Sequence, residues 1–255
     1  MHKTYHICRV MRWFSRKKRP FTTAILLAGG IGSRMKREDG KTKQMLPICG
    51  APVLAHTARA FEECPYIDQI IVVAREEELS CVREMMAAYG IKKFCRAVVG
   101  GATRQLSALA GFEAIDGDKC RFVAIHDAAR CLITPGQISD VVAEAYATGA
   151  AAAACRVHDT VKRANGNRYV LETIDRESLW LAATPQVFSA TLYRAAAYTA
   201  KAANFTATDD VMLCERIGQA VRLVDCGEEN FKITTNADLL RAEIVLRMRK
   251  DKAST

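Results

Sequence analysis

"AILLAGGIGSRMKREDGKTKQMLPICGAPVL", residues 24–54, sets glycines and cations directly behind an apolar run. Thr22 to Leu27 reads as a short buried strand that stops where the glycines begin. Backbone that turns sharply after a strand with little side-chain bulk approaches a ligand closely, and its free N–H groups suit phosphate. The stretch therefore points to a nucleotide site at the end of the first strand. Two familiar versions of such a site fail on one residue. A dinucleotide fingerprint needs a third glycine where Met35 stands, and the leading glycine of a P-loop ending in "DGKT" (39–42) would fall at the same place.

Outward from this stretch, strand-like and helix-like segments alternate. The first strand is followed by a helix over 51–63; "DQIIVVA" (68–74) by one over 76–89; "FCRAVV" (94–99) by one over 103–115; and "RFVAIHD" (121–127) by one over 135–147. This order predicts right-handed βαβ units, an α/β fold with a Rossmann-like, mostly parallel sheet flanked by helices. Such sheets bind ligands beyond the carboxyl ends of their strands, where the glycines and His126-Asp127 both fall. From residue 151 two extended segments flank Asn165-Gly166 and predict a hairpin, about 157–180, that protrudes as an arm. A lone hairpin is poorly stable, so a second subunit is its expected support. The chain then returns through "ATPQVF", a helix over 190–202, a "TDDVMLCERIG" helix, the strand "AVRLVDC" and a last helix opened by Thr235 and Asp238 as a capping pair.

A chain of 255 residues, half of them hydrophobic, suits one sizeable domain, here 21–250, with a basic, disordered leader over 1–20 and a tail over 251–255. The leader's apolar stretch is too short and interrupted for a secretory signal; a tethering tail and an organelle-targeting segment stay open for it. It holds seven of the 37 cations and no acid, which leaves 30 cations against 28 acids elsewhere. The formal charge of +9 therefore sits mostly in the leader, and the near-neutral domain gives no reason to expect nucleic acid or membrane as a partner. Ten cysteines form no C-x-x-C pair and lie mostly in apolar segments, which suits a reducing cytoplasm.

What remains of the opening stretch, "LAGG-x-G-x-RM" and then "KQMLPI", is similar to nucleotidyltransferases that join a nucleoside triphosphate to a sugar or polyol phosphate. "GGATRQLSALAG" (100–111), "HDAAR" (126–130), "DTVKR" (159–163), "DRESLWLAATPQ" (175–186), "TDD" (208–210) and "NFKITTNADL" (230–239) stand in the order and spacing of the 2-C-methyl-D-erythritol 4-phosphate cytidylyltransferases. The chain resembles that family over about residues 22–247. The ribitol-5-phosphate cytidylyltransferases share the style of opening, but "HDAAR", "DTVKR" and "DRESLW" favour the erythritol enzymes.

The resemblance implies a transfer from CTP to a polyol phosphate with a magnesium ion as cofactor, in a homodimer whose arm reaches the neighbouring site. The nucleophile is a phosphate oxygen already ionised near neutral pH, so catalysis rests on holding two anions in line and neutralising the charge that grows between them. By the same resemblance Arg34 and Lys43 stabilise the transition state, with Lys41 as the reserve for Lys43, because the interval after Arg34 is longer than is usual in the family. Ala28, Gly29, Gly30 and Ala128 contact substrate, Gly101 and Ser107 the cytosine and ribose, and Asp127 substrate and metal. Thr160, Arg176 and Lys232 position the polyol phosphate, and Thr184 and Thr208 join the substrate-binding set. Arg130 either anchors its loop or touches ligand.

Overall fold

Ala24 and Leu26 face one side of a central sheet and Ile25 and Leu27 the other, so the first strand, β1 (Phe21–Leu27), is buried on both faces. That is why it reads as an unbroken apolar run. The computed structural model describes residues 19–30, 42–116 and 119–253. Parallel to β1 run β4 (Gln69–Ala74) and β6 (Cys120–Asp127), with β5 (Phe94–Val99) beyond β4. β10 (Trp180–Ser189) enters antiparallel between β6 and β7 (Ala150–Arg156), and β11 (Arg222–Asp225) closes that edge parallel to β7. The order across the seven strands is β11-β7-β10-β6-β1-β4-β5. β2 (Pro47–Ile48) and β3 (Ala51–Pro52) form a separate small ladder.

Helices cover both faces. α1 (Val53–Glu63), α2 (Leu79–Ala88) and α4 (Pro135–Thr148) pack on the Ala24 side, while α3 (Arg104–Glu113), α5 (Ala190–Ala202) and α6 (Asp210–Arg216) pack on the Ile25 side. Each fully buried Ile, Leu or Val in these layers stabilises the fold by roughly 1.5–3 kcal/mol. α3 lies especially close to the sheet, since a Cβ on Gly111 would stand 2.5 Å from Ile25 Cγ2. α4 shows the local logic: Thr134 and Gln137 form a reciprocal capping box, Pro135 opens the first turn, and Gly149 ends the helix at φ 87°. The last helix, α7 (Asn236–Ala253), begins as expected, with Asp238 accepting from Thr235 N–H at 2.8 Å and Thr235 Oγ1 from Asp238 N–H at 3.2 Å.

Three boundaries differ from the expectation. α7 continues to Ala253, into the stretch taken as tail. Arg19 and Pro20, counted with the leader, are fastened to the fold: Arg19 grips Asp68 with two bonds of 2.7 Å, and Tyr146 donates to the Pro20 carbonyl at 2.9 Å. The rest of the leader lies outside the described residues. In the arm, β8 (Val161–Ala164) pairs with β9 (Val170–Ile174) as a hairpin, but its loop is longer than the two residues Asn165-Gly166. Asn165 Oδ1 accepts from the N–H groups of Asn167 and Tyr169, and the left-handed residue is Arg168, at φ 66°.

Candidate active site

The site is built where four strands end side by side. Leu27 is the register partner of Asp127, and the next residues keep the lacing going: Ala128 N–H donates to the Leu27 carbonyl, Ala28 N–H to Val73 and Gly100 N–H to Ala74. The exits of β1, β4, β5 and β6 therefore share one edge, which brings Ala28 beside Ala128 and sets Gly29 against Ala74 at the end of β4. Gly30 lies against Gln44, whose Nε2 would be 3.5 Å from a Cβ placed there. Gln44 and Lys43 sit buried in a single 3-10 turn, Lys43–Met45, so Lys43 flanks the glycine exit. Arg34 and Lys41, the reserve for Lys43, lie outside the described residues.

Asp127 is held by a corner of linked polar groups. The Arg130 carbonyl can only accept, so His126 donates to it from Nε2 at 3.2 Å. His126 Nδ1 then accepts from Thr184 Oγ1 at 3.0 Å, and that oxygen accepts from Asp127 N–H at 3.0 Å. Burial pushes the His126 imidazole down to about 3, which keeps it neutral in this relay. Thr184, expected to bind substrate, is itself buried and acts on the backbone of the corner. Arg130 anchors the loop, as one of its two expected roles required: it donates to the Asn230 carbonyl at 2.8 Å, while Asn230 donates to the Thr184 carbonyl at 2.9 Å. That pinned segment carries Lys232, whose Nζ lies 2.8 Å from Asp127 Oδ2.

The other carboxylate oxygen belongs to a residue that the sequence reading missed. Arg104 Nε donates to Asp127 Oδ1 at 3.0 Å, and its Nη1 donates to Asp210 Oδ2 at 2.7 Å. Burial alone would raise the Asp127 carboxyl, but Arg104, Lys232 and Arg130 outweigh it and hold the group well below the usual carboxylate range. Burial dominates at Asp210, which is raised despite Arg104. Arg104, Arg130 and Lys232 surround the single carboxylate of Asp127, a local excess of cations suited to an anionic ligand. One signal could have found Arg104: it occupies the first turn of α3, where the helix dipole disfavours a cation unless an acid faces it.

Gly101 and Ser107 meet at the start of α3. A Cβ on Gly101 would stand 2.4 Å from Leu106 Cβ, so only glycine fits, and Ser107 Oγ lies 3.2 Å from the Gly101 carbonyl. Thr208 is exposed near the start of α6, its hydroxyl 3.8 Å from Met212 Sδ. Thr160 and Arg176 are brought together on the arm, with Arg176 Nη1 2.6 Å from the His158 carbonyl, and no bond ties either to Asp127. A cavity of about 460 Å³ separates the base of the arm at His158 and Asp159 from Arg130 and Lys232.

Glycines at the strand exits, a clasped aspartate and the cations around it at the carboxyl edge of a Rossmann-like sheet have the character of a nucleotidyltransferase site. The family model of 2-C-methyl-D-erythritol 4-phosphate cytidylyltransferase (IspD) matches residues 22–248, and the chain belongs to that family. It is 39% identical over 226 residues to the enzyme of that name from Geobacillus kaustophilus, covering 89% of this chain and 97% of that one. The Desulforamulus reducens enzyme of the same name is 41% identical over 227 residues, covering 89% and 96%. The crystal structure of 4-diphosphocytidyl-2C-methyl-D-erythritol synthase from Anaerococcus prevotii superposes with a TM-score of 0.80 at 28% identity, covering 89% of this chain and 96% of that one. The ribitol alternative is not favoured by these matches.

Proposed function

We propose that the chain joins CTP and 2-C-methyl-D-erythritol 4-phosphate to give 4-diphosphocytidyl-2-C-methyl-D-erythritol and pyrophosphate, a step of the non-mevalonate route to isoprenoid precursors. The observation that carries this reading is the clasp of Lys232 on Asp127 beside the glycine exit of β1, with the Gly100-Gly101 and Asp127-Ala128 stretches on the same edge. A phosphate oxygen of the polyol attacks the α-phosphorus of CTP, forming a P–O bond while the α–β bridge breaks and pyrophosphate leaves. No general base is needed. The backbone of Ala28, Gly29 and Gly30 cradles the triphosphate, with Arg34 and Lys43 neutralising the charge that grows on it. Gly101 and Ser107 bind the base and ribose, and Ala128 the nucleotide beside them. Lys232 moves from Asp127 to the polyol phosphate.

Among the described residues no group of three or more His, Cys, Asp or Glu could hold a metal ion. A magnesium ion nevertheless fits, because it is commonly held by one or two carboxylates together with substrate phosphates, and Asp127 stays ionised on the edge where those phosphates lie. When bound, it would supply neutralisation of the negative charge that grows during the transfer. Thr160 and Arg176 complete the polyol site from the arm of a second copy in a homodimer. Tyr169, Val170 and Leu171, 72%, 61% and 59% exposed on the hairpin, support that assembly. Thr208 flanks the polyol. Among the described residues no helix is long and apolar enough to cross a membrane. The nine described cysteines are free, which supports a reducing, cytoplasmic setting.

The test is pyrophosphate release from CTP and magnesium with each polyol phosphate in turn. Turnover with 2-C-methyl-D-erythritol 4-phosphate should exceed that with ribitol 5-phosphate by at least about 100-fold, as loss of matched polar contacts demands. Equal or reversed rates would overturn the assignment.

A further inference from the structure

We infer that Arg104 is a positioning residue of the transfer site: its fork sets the orientation of Asp127 and ties the segment carrying Thr208 to the same corner. The inference rests on the proposed role of Asp127 toward the divalent cation. Arg104 is the partner of Asp127 Oδ1, and its second arm reaches Asp210, 106 residues away at the start of α6. Asp210 is fully buried, with Tyr193 Oη donating to its other oxygen at 3.3 Å, so Arg104 supplies the charge that a buried carboxylate needs. The neighbouring Gln105 reinforces the link, donating to the Phe205 carbonyl at 3.1 Å and accepting from Ala207 N–H at 2.9 Å. Residues 104 and 105 thus bolt the 205–210 segment to the β6 edge.

The Arg104 side chain is 27% exposed, but its fork is committed. Its Nη2 is buried with no hydrogen-bond partner, and the other two nitrogens are committed to carboxylates, so it acts on the reaction through Asp127 rather than on a ligand. Two carboxylates on different elements call for a planar fork. A lysine supplies one point charge and cannot hold both at their present spacing.

Arg104→Lys and the charge-balanced pair Arg104→Gln/Asp210→Asn test this in the full-length protein, read by steady-state kinetics, thermal melts and Mn²⁺ binding in the presence of CTP by electron paramagnetic resonance. Each should lower kcat and weaken Mn²⁺ binding by about 10- to 100-fold, the usual effect of losing an outer-shell partner, with KM for CTP within about threefold of wild type. Combining Arg104→Lys with Asp127→Asn should be no slower than Asp127→Asn alone, within about twofold, because one residue works through the other. Losses that multiply, or a lowered melting temperature with kcat and Mn²⁺ binding unchanged, would overturn the inference. Undiminished Mn²⁺ binding in Asp127→Asn alone would instead remove the metal role of Asp127, and the kinetic cycle between residues 104 and 127 would still decide the positioning role.

Discussion

The Asp127 corner and the β8–β9 arm handle polar groups in opposite ways. At the corner, His126 is fully buried, and Asp127 and Thr184 nearly so; the carboxylate, ring and hydroxyl of these residues are all bonded to partners in the same chain. On the arm, Arg163 pairs with Glu172 at 2.8 Å and Lys162 with Thr173 at 2.6 Å in open solvent, while Tyr169, Val170 and Leu171 are left uncovered. Surface pairs of this kind are worth about 0–1 kcal/mol, too little to hold a hairpin by themselves. The carboxylate, ring and hydroxyl of the corner are bonded within one chain, whereas the arm leaves apolar side chains uncovered, as the proposed dimer requires.

Breaking the corner should have the largest effect. Asp127→Asn keeps the shape and removes the charge, so kcat should fall by on the order of 10²–10³ while circular dichroism stays native. Unchanged turnover across a magnesium titration would separate Asp127 from the chemistry. Breaking the arm should cost less and leave the fold alone. Arg176→Ala removes an exposed side chain, so kcat should fall about 10²-fold through lost alignment of the polyol phosphate, with the melting temperature unchanged. A fall in stability of the isolated protein would mean that Arg176 serves its own chain's fold.

Gly101→Ala sharpens the contrast from the nucleotide side. A methyl 2.4 Å from Leu106 Cβ forces the base loop off the first turn of α3, so KM for CTP should rise about tenfold with little change at the polyol. The smallest effect belongs to a region away from both. The Thr234 and Thr235 bonds hold the Asp238 carboxyl down to about 2 against its burial, so its contribution is present above the ordinary carboxylate range and is lost as pH falls toward 2. Asp238→Asn should therefore cost about 1 kcal/mol at pH 7, and the gap in denaturant melts should close between about pH 4 and 2. A gap that persists at pH 2 would show that the charge is not what caps α7.

The parts of the molecule legible in the sequence are those set by local pattern. β1 and β6 are continuous apolar runs because both faces are buried, and the glycines at 100–101 mark a backbone that must approach α3. The parts that escaped depend on distant partners. Arg104 looked like one more residue of "GGATRQLSALAG" because Asp210 lies 106 residues away, and Arg19 looked like leader because Asp68 lies 49 residues away. The burial of Thr184 is equally hidden in the sequence, because its motif gives no sign that β10 runs between two strands. Asn-Gly suggested a two-residue turn, but the Asn165 side chain took two backbone N–H groups and moved the left-handed residue to Arg168.

The division between a self-contained corner and a donated arm is tested most directly by mixing two inactive variants, Asp127→Asn and Arg176→Ala. After subunit exchange by brief mild denaturation or co-expression, about half of the dimers are mixed, and each has one site with both residues intact, as a closed two-fold dimer requires. The expected recovery is therefore about a quarter of wild-type activity. No recovery in a population with verified heterodimers would contradict the account, placing Arg176 in the site of its own chain.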